Sequence, residues 1–150
     1  MVGFFYNPNI HPQEEHDKRL LEVQRISALW RVLVDARPYD HVRFLGVASG
    51  LEGEPEDGNR CVACYRLRLE EAARSAAENG CTHIATTLTI APMKRAAVIN
   101  PIGREAAARF GLVFVEEDWK KRDGFKRSIE LSRDLGLYRQ NYCGCEFSRR

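Results

Sequence analysis

Residues 60–88 read RCVACYRLRLEEAARSAAENGCTHIATTL, and this stretch decides the fold class. Its first twenty positions are rich in Ala, Leu, Arg and Glu, strong helix formers with no proline among them. Gly80 then acts as a stop signal, because glycine enters the left-handed conformation that closes a helix. Thr82 to Leu88 changes character toward β-branched residues, which predicts a strand. A helix running into a strand through a short glycine turn is half of an α/β unit.

The same alternation extends in both directions. Val2 to Tyr6 is a short apolar run ended by Asn7-Pro8-Asn9, a buried strand entering a loop. Pro12 with Glu14, Glu15 and Asp17 marks a helix start, acidic groups lying near the positive end of the dipole. Leu20, Leu21, Val23, Ile26 and Leu29 give that helix an apolar face. Arg31 to Asp35 predicts a second strand, Asp40 to Ala48 a short helix, and residues 50–58 an acidic loop punctuated by Gly and Pro. Downstream come a helix from about Lys94 to Arg109, a strand from Leu112 to Val115 and a last helix from Gly124 to Leu135. With no internal repeat and no linker, residues 1–150 are expected to form a single α/β domain, a mainly parallel sheet flanked by helices. The chain opens on a strand with nothing ahead to cover or pair it. Parallel sheets are buried on both faces, so a first βα unit is expected to be missing.

Charged residues make up 29% of the 150 and hydrophobic ones 44%, an ordinary globular composition. No apolar run approaches the ~20 residues that cross a bilayer, and the N-terminus lacks the basic and apolar regions of a signal peptide. The expectation is a cytoplasmic protein with no membrane partner, where paired cysteines serve metals or redox chemistry rather than structural disulfides. The net charge of +2 is too small to argue for a nucleic-acid partner. Its distribution says more: residues 119–150 hold nine Lys/Arg against four Asp/Glu, interleaved with Trp119, Phe125, Tyr138, Tyr142 and Phe147. Basic groups neutralise phosphates and aromatic faces stack on unpaired bases, although a solvated helix face over core aromatics has the same composition.

Four of the five cysteines fall in two tight pairs, Cys61/Cys64 and Cys143/Cys145. The first pair sits at a predicted helix start, where i, i+3 spacing puts both sulfurs on one face and the dipole favours thiolates. Thiolates bind iron or zinc, but two ligands do not complete a four-coordinate site. The second pair flanks Gly144, whose backbone freedom permits an i, i+2 disulfide; the strain of so small a ring suits a switching redox pair. Alternatively, both pairs join in one all-thiolate zinc site, and spacing leaves these readings open. Cys81, standing alone, is expected to be a buried core thiol. His11 lies at the C-terminal edge of the first strand, where open α/β sheets bind ligands, and is a candidate acid or base as well as a plain turn residue. Thr86, Thr87 and Thr89 occupy a comparable strand end, and Lys94, Arg95 and Arg104 read as solvated helix charges or phosphate contacts.

Five ordered motifs resemble the cobalamin-independent epoxyqueuosine reductases, the QueH family. They are Tyr6-Asn-Pro-Asn-Ile-His-Pro12, Arg60-Cys-Val-Ala-Cys-Tyr-Arg-Leu-Arg-Leu69, Thr86-Thr-Leu-Thr-Ile90, Asp123-Gly-Phe-Lys-Arg-Ser128 and Tyr138-Arg-Gln-Asn-Tyr-Cys-Gly-Cys145. The resemblance implies a nucleotide-hydrolase-like (HUP or Rossmann-like) fold and reduction of epoxyqueuosine to queuosine at the wobble position of tRNA, the last step of queuosine biosynthesis. It implies a [4Fe-4S] cluster with Cys61 and Cys64 as two ligands, an additional iron, and Cys143/Cys145 as the redox-active disulfide. Asp118 and Asp123 are candidates for the metal site, His11 for a proton donor, and the anticodon loop and an unidentified electron donor for partners. Family members begin with a strand ending in Cys-Cys, absent here; it would supply the other two cluster ligands, so the chain is expected to be N-terminally truncated and its activity reduced or lost. Met93 stands where members of the family often carry histidine. Two other readings are a zinc-stabilised nucleic-acid-binding module without catalysis and a thiol oxidoreductase acting on proteins. Both leave residues 7–12 and 123–127 without a role.

Overall fold

Val2–Phe5 (β1) pairs in parallel with Leu33–Ala36 (β2), Val2 against Leu33 through Phe5 against Ala36, and the helix Gln13–Trp30 (α1) makes the crossover. The computed structural model describes residues 1–148; Arg149 and Arg150, two of the basic residues counted in the C-terminal third, lie outside the described residues. His41–Ala48 (α2) follows, capped by the Asp40 carboxylate, which accepts from the Arg43 N–H at 3.3 Å. The long helix Asn59–Glu78 (α3) leads through Gly80, at φ +66, into His83–Ile84 (β3). A 3-10 turn at Leu88–Ile90 precedes Ala96–Ala108 (α4), and Val113–Phe114 (β4) pairs in parallel with β3. Gly124–Asp134 (α5) and a 3-10 turn at Glu146–Ser148 complete the described chain.

The α/β class is the one the sequence predicts, and all the pairing is parallel, but it forms two separate two-stranded ladders. The strand predicted over residues 82–88 shrinks to two residues because other bonds take its backbone and hydroxyls. The Trp119 indole N–H donates to the Thr86 carbonyl at 2.8 Å, and its backbone N–H to Thr89 Oγ1 at 3.3 Å. Thr86, Thr87 and Thr89 therefore lie in a loop and turn anchoring Trp119, not at a strand end. β2 starts later than predicted because α1 continues to Trp30 and closes at Arg31 in the left-handed region, φ 54. The apolar face expected on α1 is only partly covered: His16 is its one fully buried residue, and Leu21 and Leu29 are 56% and 59% exposed.

Packing radiates from α3. Cys61, Tyr65, Leu69 and Ala73, spaced by four, form a buried stripe against Ile99, Ile102, Ala106 and Ala107 of α4, with Ile84 and Phe114 behind them. Gly103 allows this approach, since a Cβ there would stand 2.3 Å from the Phe114 ring. Cys64, one position round the helix, faces a second cluster with Phe44 and Ala48 of α2 and Cys145 from the C-terminal segment.

That C-terminal segment is tied to the opposite end of the chain. Arg19 of α1 donates from Nη1 to the Cys143 carbonyl at 3.1 Å and from Nη2 to the Tyr142 carbonyl at 3.2 Å, while its Nε pairs with Glu15 at 2.8 Å. The Tyr138 hydroxyl donates to the same Glu15 carboxylate at 2.9 Å, and the Tyr142 hydroxyl to the His11 carbonyl at 2.7 Å. The His11 N–H closes the contact on the Gly144 carbonyl at 2.9 Å. Burial pushes the Glu15 carboxyl up, but the bonds from Arg19 and Tyr138 outweigh it and hold it below its ordinary value. Arg19→Met removes three charge-assisted hydrogen bonds and is expected to cost about 1–3 kcal/mol of stability in urea unfolding. A carboxyl whose folded pKa is depressed stabilises above its unfolded value of about 4 and loses that contribution as pH falls below it. Wild-type stability is therefore expected to drop through that window more steeply than that of the Met variant.

Candidate thiol and metal centre

Cys61 and Cys64 enter the site from the first two turns of α3, which the ten-residue acidic loop 49–58 joins to α2. The backbone N–H of Asp57 donates to the Cys61 sulfur at 3.2 Å, a helix-terminal donor aimed at a sulfur. Cys64 lies deeper. Burial pushes its thiol up, and the opposing pull of Arg68 does not compensate; Cys61 and Cys143 both lie close enough to act on its charge. The expectation that the helix dipole favours a thiolate at both positions is thus corrected at Cys64, where desolvation prevails.

Cys143 and Cys145 stand on a tight turn around Gly144, at φ +106, where a Cβ would meet Ile10 Cγ1 at 2.7 Å. The Cys145 thiol bonds the Cys143 sulfur, and the Cys145 N–H adds a contact at 3.4 Å. These interactions draw the Cys143 thiol down to about 5, with Lys94 contributing from across the site. The same bond, with burial, pushes Cys145 up. Ser148 Oγ also lies 3.1 Å from the Cys143 sulfur, but its hydroxyl donates to the Cys145 carbonyl at 2.7 Å. Its single proton serves only one of them, so the Cys145 thiol is the main stabiliser of a Cys143 thiolate.

The structure brings three of the four paired cysteines to one place: Cys64 and Cys145 share a buried cluster and Cys143 packs against it, while Cys61, one turn back on α3, packs in the neighbouring cluster. They are not drawn together as ligands of one ion. Among the described residues, the only three potential ligand atoms within 4.8 Å of one another belong to His11, His41 and Glu146, whereas thiolates on a single zinc would stand about 3.8 Å apart. Asp118 pairs with Lys120 at 2.9 Å, and Asp123 lines a shallow groove on α5 with Arg122, Lys126, Arg127 and Glu130. Cys81 is only partly buried, not the core thiol expected.

Three residues here carried no clear signal in the sequence. Lys94, expected among solvated charges, is buried to 8% exposure, with its ammonium 5.5 Å from the Tyr65 ring centroid and 3.4 Å from Glu56. Burial opposes its charge, but Tyr65, Cys143 and Cys61 outweigh it and hold the lysine above its ordinary value; burial pushes the Tyr65 hydroxyl up to about 12. Arg95 and Arg104 are exposed, paired with Asp57 and Glu116. Arg60, 2% exposed, gathers the acidic loop by donating from Nη1 to the carbonyls of Leu51, Glu52 and Glu54, and lies over the Phe147 ring. His41 was invisible because its partner is 105 residues away. The adjacency of Arg60 to Cys61, and of Glu146 to Cys145, was the one available hint.

No helix of the described residues is long and apolar enough to cross a membrane. In comparison with known proteins, the family model described as epoxyqueuosine reductase QueH matches residues 1–150. The epoxyqueuosine reductase QueH of Staphylococcus epidermidis is 35% identical over 153 residues, covering 97% of this chain and 64% of that protein. That of Histophilus somni is 38% identical over 148 residues, 98% of this chain and 61% of that protein. That of Thermotoga maritima is 33% identical over 148 residues, 97% and 77% respectively. The chain thus spans less than two thirds of the length of the first two relatives.

Alkylation of the reduced, metal-free chain tests the electrostatics. Cys143 is expected to react first, its rate rising with pH through about 5 and level above neutrality, and Cys64 last. Lys94→Met is expected to move the Cys143 rise to higher pH in peptide mass spectra; an unmoved profile would show that Lys94 plays no part.

Proposed function

The chain belongs to the epoxyqueuosine reductase QueH family, and from that premise we propose that it reduces epoxyqueuosine to queuosine in tRNA. The observation that carries this reading is the meeting of Cys64, Cys145 and Cys143 in one buried cluster, which gives a two-electron reduction its thiols and a dry place to act. The reaction acts on a nucleoside of the anticodon loop, and a cytoplasmic location follows from that substrate.

Cys61 and Cys64 would hold two irons of a [4Fe-4S] cluster, which when bound supplies electrons and Lewis acidity beside the substrate. Two buried sulfurs at one helix start, with a backbone N–H aimed at one of them, suit such a group. The Cys143/Cys145 pair supplies the reducing equivalents on the protein side. Closing its S–S bond from a thiolate and a thiol releases two electrons and one proton. Both carbon–oxygen bonds of the epoxide break, a carbon–carbon double bond forms, and the oxygen leaves as water. The second proton reaches that oxygen through His11. Lys94 favours the Cys143 thiolate, and Arg60 with Phe147 closes the site from the side of the acidic loop. The groove on α5, with Arg122, Lys126 and Arg127, takes tRNA phosphates, and the half-exposed Trp119 ring offers a face to an unpaired base. An unidentified donor returns the dithiol to its reduced state.

The test uses the full chain, reconstituted anaerobically with iron and sulfide, incubated with tRNA bearing epoxyqueuosine and read by nucleoside mass spectrometry. Loss of one oxygen is expected with the wild type, at a reduced rate because Cys61 and Cys64 are two of the four cluster ligands, and not with Cys143→Ser or Cys145→Ser. Peptide mapping after a single turnover is expected to find Cys143 linked to Cys145. Unchanged epoxyqueuosine with a reduced, reconstituted chain would overturn the proposal, and uptake of zinc without iron would favour the non-catalytic module instead.

A further inference from the structure

A second constellation lies beside the thiols and takes no part in the reaction described, apart from the proton assigned to His11. His41 Nδ1 stands 2.7 Å from the Pro8 carbonyl. A carbonyl only accepts, so that nitrogen carries the hydrogen and Nε2 presents its lone pair. Nε2 in turn lies 2.7 Å from Glu146 Oε1, an atom that also only accepts when ionised. At that distance either a proton or a metal cation must lie between the two atoms. His11 completes the set: its ring stacks on that of His41 with centroids 4.9 Å apart, and one atom from each of the three residues lies within 4.8 Å of the others. Among the described residues the His11 ring nitrogens are engaged in no hydrogen bond. All three side chains are half-buried, so a ligand would reach them from one side.

We propose that His11, His41 and Glu146 form a binding site for a divalent cation of the zinc class, separate from the cysteine sulfurs. Two imidazole nitrogens and one carboxylate are the donors such an ion prefers, with a fourth position left to water. The Nδ1–H to carbonyl bond of His41 is the outer-shell support by which metal-binding histidines are oriented. Donors about 2.1 Å from one tetrahedral ion stand about 3.4 Å apart, so binding needs His41 and Glu146 to part slightly and His11 to draw in. The three ligands come from the loop after β1, the start of α2 and the turn directly after Cys145. The bound ion would fasten the Cys143–Cys145 turn to the loop after β1 and to α2.

Cobalt(II) is the probe, added anaerobically to the reduced full chain, because its spectrum separates thiolate from nitrogen and oxygen ligands. One equivalent is expected to bind without thiolate charge-transfer absorption and to raise the melting temperature. His41→Gln and Glu146→Gln, the latter isosteric and half-exposed, are expected to weaken that equivalent by roughly tenfold or more. Both should leave any thiolate-bound cobalt unchanged, and circular dichroism checks that they fold. Unaltered cobalt binding in both variants would overturn the proposal, as would cobalt spectra showing thiolate ligation only. A lower melting temperature in His41→Gln with unchanged metal uptake would show a plain imidazolium–carboxylate pair, and would overturn it equally.

Discussion

One guanidinium holds the two ends of this chain together. Arg19, on the first helix, uses its Nε on Glu15 and its two terminal nitrogens on the carbonyls of Tyr142 and Cys143. A backbone carbonyl turned inward has to be bonded, and here a side chain more than a hundred residues away does it. Because those carbonyls flank a cysteine, the position of a sulfur is set by a charge on α1. The reciprocal bonds of Tyr138 and Tyr142 to Glu15 and His11 make the contact cooperative. Every chemical role given to the second cysteine pair assumes this connection.

Around the sulfurs, burial and charge act in opposite directions. Cys64 sits deep enough for desolvation to keep it protonated in the metal-free chain, whereas Cys143, one cluster edge away, gains a thiol, an amide and a buried ammonium. The pocket therefore holds one poised thiolate beside thiols that stay neutral until something binds them. Such a division suits a site where some sulfurs ligate and others exchange electrons.

Much of this was legible in the sequence, for local reasons. α3 and Gly80 follow from propensity and a glycine stop, and the α/β alternation from period changes over a few residues. The acidic loop and the short α2 were equally visible. What the sequence concealed depends on distant partners. Thr86 and Thr87 carry strand-forming side chains, yet their ladder is lost to Trp119, more than thirty residues on. Lys94 looked solvated because it stands beside Arg95 as a second charge at a helix start, while in space it lies against Tyr65 and Glu56 and acts on two sulfurs. The thiol pairs were evident from spacing alone, but their convergence was not: it needs the turn at Gly144 to return to the start of the chain.

At that turn there is no room for chemical variety. Gly144 holds a backbone angle that side chains rarely adopt, with Ile10 against the place where a β-carbon would be. A directed-evolution library randomised there should return glycine alone, and the two-residue interval between the sulfurs cannot drift by substitution. Any adjustment of this pair's reactivity must therefore come from the residues around it, through Lys94, Ser148 and the segment carrying His11. That makes the hinge of the redox pair the fixed point of the site and its surroundings the tunable part.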